Sequence, residues 1–153
     1  MIKIMFVCHG NICRSPMAEF VMKKIVADSG LADKFLINSS ATSTEEIGNG
    51  IHRGTKAKLT EKNIPFTSHH AMQITKADYE SYDYIIAMDS MNLHNLQRIV
   101  GFDSEKKIHR LLDFTNYPRD VADPWYTGNF DVTYTDINNG CHALLEYIKK
   151  HDF

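Results

Sequence analysis

The chain has 153 residues, 43% of them hydrophobic, and a formal net charge of −2, the size of one domain (1–153) that buries a core without metal or disulfide support. A charge so close to balance makes neither nucleic acid nor an anionic membrane surface an obvious partner, and no apolar run approaches the ~20 residues of a membrane span. Three cysteines, an odd number, suit a reducing cytoplasm better than a secreted disulfide framework.

In chain order, Ile2–Val7 reads as a buried strand; it is too short, and holds Lys3 too early, for a signal peptide. Pro16 to about Asp28 reads as a helix with Met17, Phe20, Val21 and Ile25 on one face and Gly30 as its stop. Phe35–Ala41 is a second strand, the Ser-, Thr-, Gly- and Glu-rich stretch 42–54 a surface loop, and about Arg53–Asn63 a polar helix ended by Ile64-Pro65. Tyr84–Met88 has the near-continuous apolar character of a central parallel strand. Asp89 or Ser90 caps a helix running to about Val100, with Gly101 after it. Ile108–Phe114 is a weaker fourth strand, and Asn116–Asn129 a long loop. Tyr134, Ile137, Cys141, Leu144 and Ile148 then mark a final amphipathic helix. Strands alternating with helices predict an α/β fold: a four-stranded parallel sheet covered on both faces, with ligands at the carboxyl ends of its strands.

The chemistry concentrates in Cys8-His9-Gly10-Asn11-Ile12-Cys13-Arg14-Ser15, between the first strand and the first helix. Such a loop wraps N–H groups around an anion, and the following helix points its positive end inward. Pro16 suits that helix's first turn. No Gly-Lys-Ser/Thr or G-x-G-x-x-G occurs, so the nucleotide and dinucleotide loops are excluded and the thiol remains as the functional group. Cys8 as thiolate is a nucleophile toward phosphorus. Arg14 offers a planar fork to two phosphoryl oxygens, which lysine cannot. Gly10 allows a positive φ or a close main-chain approach, Asn11 tolerates a left-handed conformation and bridges loops through its amide, and Ser15 donates to the sulfur when it leaves. The eight histidines show no zinc-binding spacing, and adjacent His69-His70 diverge, so no metal or other cofactor is expected.

Phosphoryl transfer also needs a proton for the departing oxygen. Asp123 in Asp123-Pro124-Trp125-Tyr126 is the best candidate, with Trp125 and Tyr126 as cleft walls. By spacing alone Asp-Pro is ordinary turn chemistry, and Asp89, Asp113 and Asp120 compete.

Together, Cys8–Ser15 with Pro16 and the distant Asp123–Tyr126 segment resemble the low-molecular-weight protein tyrosine phosphatases over essentially the whole chain. That resemblance implies strand order 2-1-3-4 and a phosphate-binding loop after the first strand. It also implies a metal-independent phosphocysteine mechanism in which Cys8 is nucleophile, Arg14 phosphate clamp and Asp123 acid/base. Substrates would be tyrosine-phosphorylated proteins or peptides, and phosphate and other oxyanions would inhibit. A supporting network of Asn11, Ser15, Ser39 and His69 is implied as well. Cys13 matches a position where a reversible disulfide with the nucleophile protects it; its other reading is a packing cysteine. Cys141 belongs to the core.

Two features depart from the family pattern. His9 follows the nucleophile where a neutral residue is more familiar, and when protonated adds positive charge. Glu45-Glu46 stands where several animal relatives place an aromatic on the cleft wall, which predicts weaker binding of acid-flanked phosphopeptides; the alternative is a solvated loop without substrate contact.

Three rival functions share the scaffold or the chemistry. An arsenate reductase needs resolving cysteines on a mobile segment, and beyond Cys13 only Cys141 remains. Phosphoarginine phosphatases tend to carry threonine where this chain has Ile12, whose branched apolar side chain favours a phenol ring. A phosphocysteine carrier of a sugar-transport system needs neither Arg14 nor a general acid.

Overall fold

The computed structural model describes residues 1–153. Four strands, β1 (Ile2–Cys8), β2 (Phe35–Ala41), β3 (Tyr84–Ala87) and β4 (Ile108–Arg110), pair in parallel in the order β2-β1-β3-β4. The helices are α1 (Arg14–Asp28), α2 (Arg53–Glu61), α3 (Lys76–Ser81), α4 (Ser90–Val100), the single turn α5 (Pro124–Thr127) and α6 (Phe130–Asp152). This is the predicted fold class and strand order.

The period-two alternation of the strands divides the core. From β1, Ile4, Phe6 and Cys8 join a cluster with Met17, Val21, Leu59, Ile137, Cys141 and Leu144 from α1, α2 and α6. Met5 and Val7 point the other way, joining Tyr79 of α3 and Leu96 and Val100 of α4. Burial on both faces is why Ile4–Val7 of β1 and the residues of β3 read as unbroken apolar runs. The connections from β1 and β3 leave in opposite directions, so the carboxyl ends of these neighbours form the crevice where open α/β sheets bind ligands.

Most predicted boundaries hold to within a few residues, and α1 ends as expected. Gly30 takes φ +72°, its N–H returns to the Ala27 carbonyl, and that of Leu31 returns to Val26.

The fourth strand is a correction. It covers only Ile108–Arg110, and Leu111–Phe114 forms a 3-10 turn. Leu111 and Leu112 are consecutive, yet both are buried in the α1/α6 core; an extended strand would send one to each face. The 116–129 segment is likewise not all loop: Asp123 caps α5, Pro124 opens it and Gly128 closes it at φ +70°. Two elements lie outside the sequence expectation: α3, whose first turn carries a capping box of Thr75 and Asp78, and a 3-10 turn at Ala32–Lys34. No helix is long and apolar enough to cross a membrane.

Candidate active site

Cys8 is the last residue of β1 and α1 begins at Arg14, so five residues must turn the chain from sheet to helix. Asn11 makes that turn possible by adopting φ 59°. Gly10 keeps negative φ; its reason is close approach, since a Cβ there would come within 3.3 Å of Glu46 Cγ. The α1 N-cap, Cys13, offers no side-chain hydrogen bond to the helix's free N–H groups. The nucleophile candidate fills that role. Ser15 N–H donates to Cys8 Sγ at 3.4 Å and Asn11 N–H at 3.3 Å, and Ser15 Oγ lies 3.0 Å from the sulfur. Negative charge on Sγ therefore sits where the helix N-terminus and loop dipoles favour it.

Behind the loop the predicted network is present and extends further. Asn11 Nδ2 donates to Ser15 Oγ at 2.8 Å and to Ser39 Oγ at 3.0 Å, and Asn11 Oδ1 accepts from Met72 N–H at 3.3 Å. His69 Nε2 lies 2.9 Å from the Asn11 carbonyl. Ser39 donates onward to Glu19 Oε1 at 2.6 Å, and Lys23 donates to Glu19 Oε2 at 2.6 Å. Glu19 was missed because a carboxylate on an amphipathic helix reads as solvent-facing; here it is buried. Satisfying each buried polar atom this way over-determines one loop conformation.

Arg14 is 2% exposed despite its charge. Nη1 donates to Asp89 Oδ2 at 2.7 Å and to the Val121 carbonyl at 2.8 Å; Nη2 reaches Asp123 Oδ2 at 3.5 Å. Burial opposes the guanidinium's charge, but Cys8, Asp89 and Asp123 outweigh it and hold its pKa above the ordinary value. Nε makes no protein hydrogen bond and Nη2 only the 3.5 Å contact to Asp123, and Arg14 lines the cleft.

The competing acids now separate. Asp89 caps α4 through Asn92 N–H at 2.7 Å while pairing with Arg14. Asp113 and Asp120 are both held by Arg110, at 2.8 and 2.9 Å, and neither lines the cleft. Asp123 does. Its segment is pinned by Val121 N–H to Met88 O at 2.8 Å and by Arg119 to the buried Asp136 at 2.6 Å.

These parts enclose a cleft of about 110 Å³ above Cys8, walled by His9, Gly10, Ile12, Cys13 and Arg14 and, opposite, by Asp123, Trp125 and Tyr126. Trp125 and Tyr126 form an exposed rim. Glu45 and Glu46 also line it, with His9 Nε2 2.9 Å from Glu45 Oε2, so an otherwise largely exposed loop contributes two carboxylates to the cleft wall. Burial, then the charges of Cys8 and Asp123, pushes the Cys13 thiol up to about 12. Cys141 lies outside the cleft on the inner face of α6, fully buried, with its thiol raised by burial. No cluster of three His, Cys, Asp or Glu side chains is arranged to hold a metal ion.

Comparison with known proteins places this architecture. The low molecular weight phosphotyrosine protein phosphatase family model matches residues 3–152. The low molecular weight protein-tyrosine-phosphatase YfkJ of Bacillus subtilis is 42% identical over 152 residues, 98% of this chain and 97% of that protein. Its crystal structure superposes with a TM-score of 0.96, covering 100% of this chain and 98% of that one at 41% identity. The low molecular weight protein tyrosine phosphatase from Streptococcus pyogenes gives 0.86 at 41% identity, covering 100% and 95%. A Drosophila arginine phosphatase gives 0.88 at 27% identity, covering 99% and 100%. With a matching family model over nearly its whole length, the chain belongs to the low molecular weight phosphotyrosine protein phosphatase family, whose members are cysteine-dependent hydrolases.

Proposed function

We propose that this protein hydrolyses phosphotyrosine monoesters in proteins through a phosphocysteine formed on Cys8. The observation that carries the reading is the convergence of two main-chain N–H groups and the Ser15 hydroxyl on Cys8 Sγ, at the floor of a cleft that also holds Arg14 and Asp123. In the first step the thiolate attacks phosphorus, the Sγ–P bond forms as P–O breaks, and Asp123 gives its proton to the departing phenolic oxygen. In the second, Asp123 takes a proton from water, the P–O bond to that water forms, and Cys8 leaves as a thiolate supported by Ser15. The Nε–Nη2 edge of Arg14 and the loop amides stabilise the equatorial charge of a loose transition state. Asp89 and Val121 fix Arg14 from behind, and Trp125 and Tyr126 wall the ring of the substrate. Three free, buried cysteines support the cytoplasmic placement.

A second reading, phosphoarginine hydrolysis, draws support from the likeness to the Drosophila arginine phosphatase and leaves the same chemistry in place. Ile12 on the cleft wall, an apolar contact for a phenol ring, favours phosphotyrosine. Thiol-relay reduction of arsenate lacks a resolving cysteine on a mobile segment, because beyond Cys13 there is only Cys141, which is sealed in the core. The test is phosphate release from phosphotyrosine and phosphoarginine peptides, without added metal, by wild type, Cys8→Ser and Asp123→Ala. Release from phosphotyrosine, lost in Cys8→Ser and sharply slowed in Asp123→Ala, is expected. Preference for phosphoarginine would replace the substrate, and a stably phosphorylated Cys8 without release would mean a carrier.

A further inference from the structure

His52, which precedes α2, touches both halves of the site. Its main-chain N–H donates to the Ile12 carbonyl of the phosphate loop at 2.8 Å. Its Nδ1 accepts from Gly54 N–H at 3.0 Å, capping α2, so the ring proton sits on Nε2. The imidazole lies flat on Phe130, with centroids 5.4 Å apart at 17°, and Trp125 meets it edge-on at 5.7 Å and 76°. Gly54 permits this arrangement, because a Cβ there would overlap the Phe130 ring. Trp125 in turn donates its main-chain N–H to Asp123 Oδ1 at 3.0 Å, the shorter of the two polar contacts to that carboxylate; the other is Arg14 Nη2 at 3.5 Å. A helix of four residues does not hold its own shape, so the orientation of Asp123 depends on what Trp125 packs against.

We propose that His52 is a positioning residue for proton transfer: tied to the phosphate loop by its main chain, it seats Trp125 and thereby sets the Asp123 carboxylate over the leaving-group side of the cleft. This rests on the reading of Asp123 as general acid. The imidazole neither touches substrate nor exchanges a proton with it. Its ring contributes shape and its Nδ1 contributes the cap, and these two contributions are separable by substitution.

The test compares His52→Asn, which keeps a capping acceptor and removes the ring, with His52→Phe, which keeps the ring and removes the cap. It reads kcat/KM, which covers steps through departure of the first alcohol, on p-nitrophenyl phosphate and phenyl phosphate. Phenol, like tyrosine with a pKa of about 10, needs the proton, whereas the nitro group lets p-nitrophenolate leave without it. We expect His52→Asn to lower kcat/KM about tenfold on phenyl phosphate and no more than about twofold on p-nitrophenyl phosphate. It should add no further loss when combined with Asp123→Ala. His52→Phe should recover the phenyl phosphate activity even where its melting temperature falls. Equal losses on the two substrates, additivity with Asp123→Ala, or a His52→Phe enzyme no better than His52→Asn would overturn the proposal. Asp123→Ala itself showing no leaving-group dependence would overturn the acid assignment beneath it.

Discussion

Arg14 Nη1 and Asp89 Oδ2 meet at 2.7 Å, joining the start of α1 to the turn after β3. The pair crosses the crevice between the carboxyl ends of β1 and β3, so the anion clamp is braced by the strand next to the one carrying Cys8. Asp89 also caps α4, and asparagine keeps a capping oxygen while losing the charge. Asp89→Asn is therefore expected to keep the α4 cap but to lower the melting temperature, because buried Arg14 loses part of its counter-charge, and to lower kcat/KM about tenfold to a hundredfold through a loosened guanidinium. Arg14→Lys, which loses both the fork and its bracing, is expected to fall further. Steady-state kinetics beside thermal melts check both.

The phosphate loop was legible in the sequence because its parts are consecutive: eight residues carry nucleophile, clamp and turn. The strands were legible where both faces are buried, as in β1 and β3. Failure came where burial and local pattern part company, at Leu111-Leu112, and where partners meet only through space. Asp89 stood among the possible acids because no sequence signal ties it to Arg14, 75 residues away. Glu19 and His52 carry no motif at all. Each acquires its role from a neighbour supplied by another element: Ser39 of β2 for Glu19, Trp125 of α5 for His52.

Asn11 combines left-handed backbone with three side-chain hydrogen bonds. Alanine there adds backbone strain, removes the amide that links Ser15 to Ser39 and leaves the Met72 N–H without its acceptor, so Asn11→Ala is expected to cost about 2–3 kcal/mol. Urea unfolding measures this. Saturating phosphate should recover less stability in the variant than in wild type, because the loop it binds is no longer held.

Cys13 and Cys141 make the protein sensitive to alkali. The folded chain keeps the Cys13 proton up to about 12, whereas an ordinary thiol loses it near 9.0; Cys141 is raised in the same direction. In that window the unfolded state binds fewer protons, so stability is full below it and declines as pH rises through it. Urea midpoints at about pH 8 and about pH 10 should show the decline, and Cys141→Ala should shrink it. At neutral pH, iodoacetate is expected to label Cys8 and spare the other two, with phosphate protecting Cys8; mass spectrometry of tryptic peptides reads the sites.

The acidic wall predicts a charge preference. Glu45 and Glu46 both line the cleft, and His9 faces only one of them, Glu45. Phosphotyrosine peptides flanked by aspartate should give lower kcat/KM than neutral ones, and Glu46→Gln should raise the acid-flanked value about two- to fivefold at low salt. The gain should vanish at high ionic strength. Equal use of acidic and neutral peptides at every salt concentration would show that the wall does not read flanking charge.

Rapid acid quenching of the enzyme with a phosphotyrosine peptide, followed by mass spectrometry of the Cys8 peptide, tests the proposed chemistry most directly. A phosphate adduct on Cys8 should be present in wild type during turnover and absent in Cys8→Ser. It should also form in Asp123→Ala from an activated aryl phosphate and persist longer there, because the water lacks its base. Turnover without any adduct on Cys8, or with the adduct on another residue, would contradict a phosphocysteine mechanism at this site.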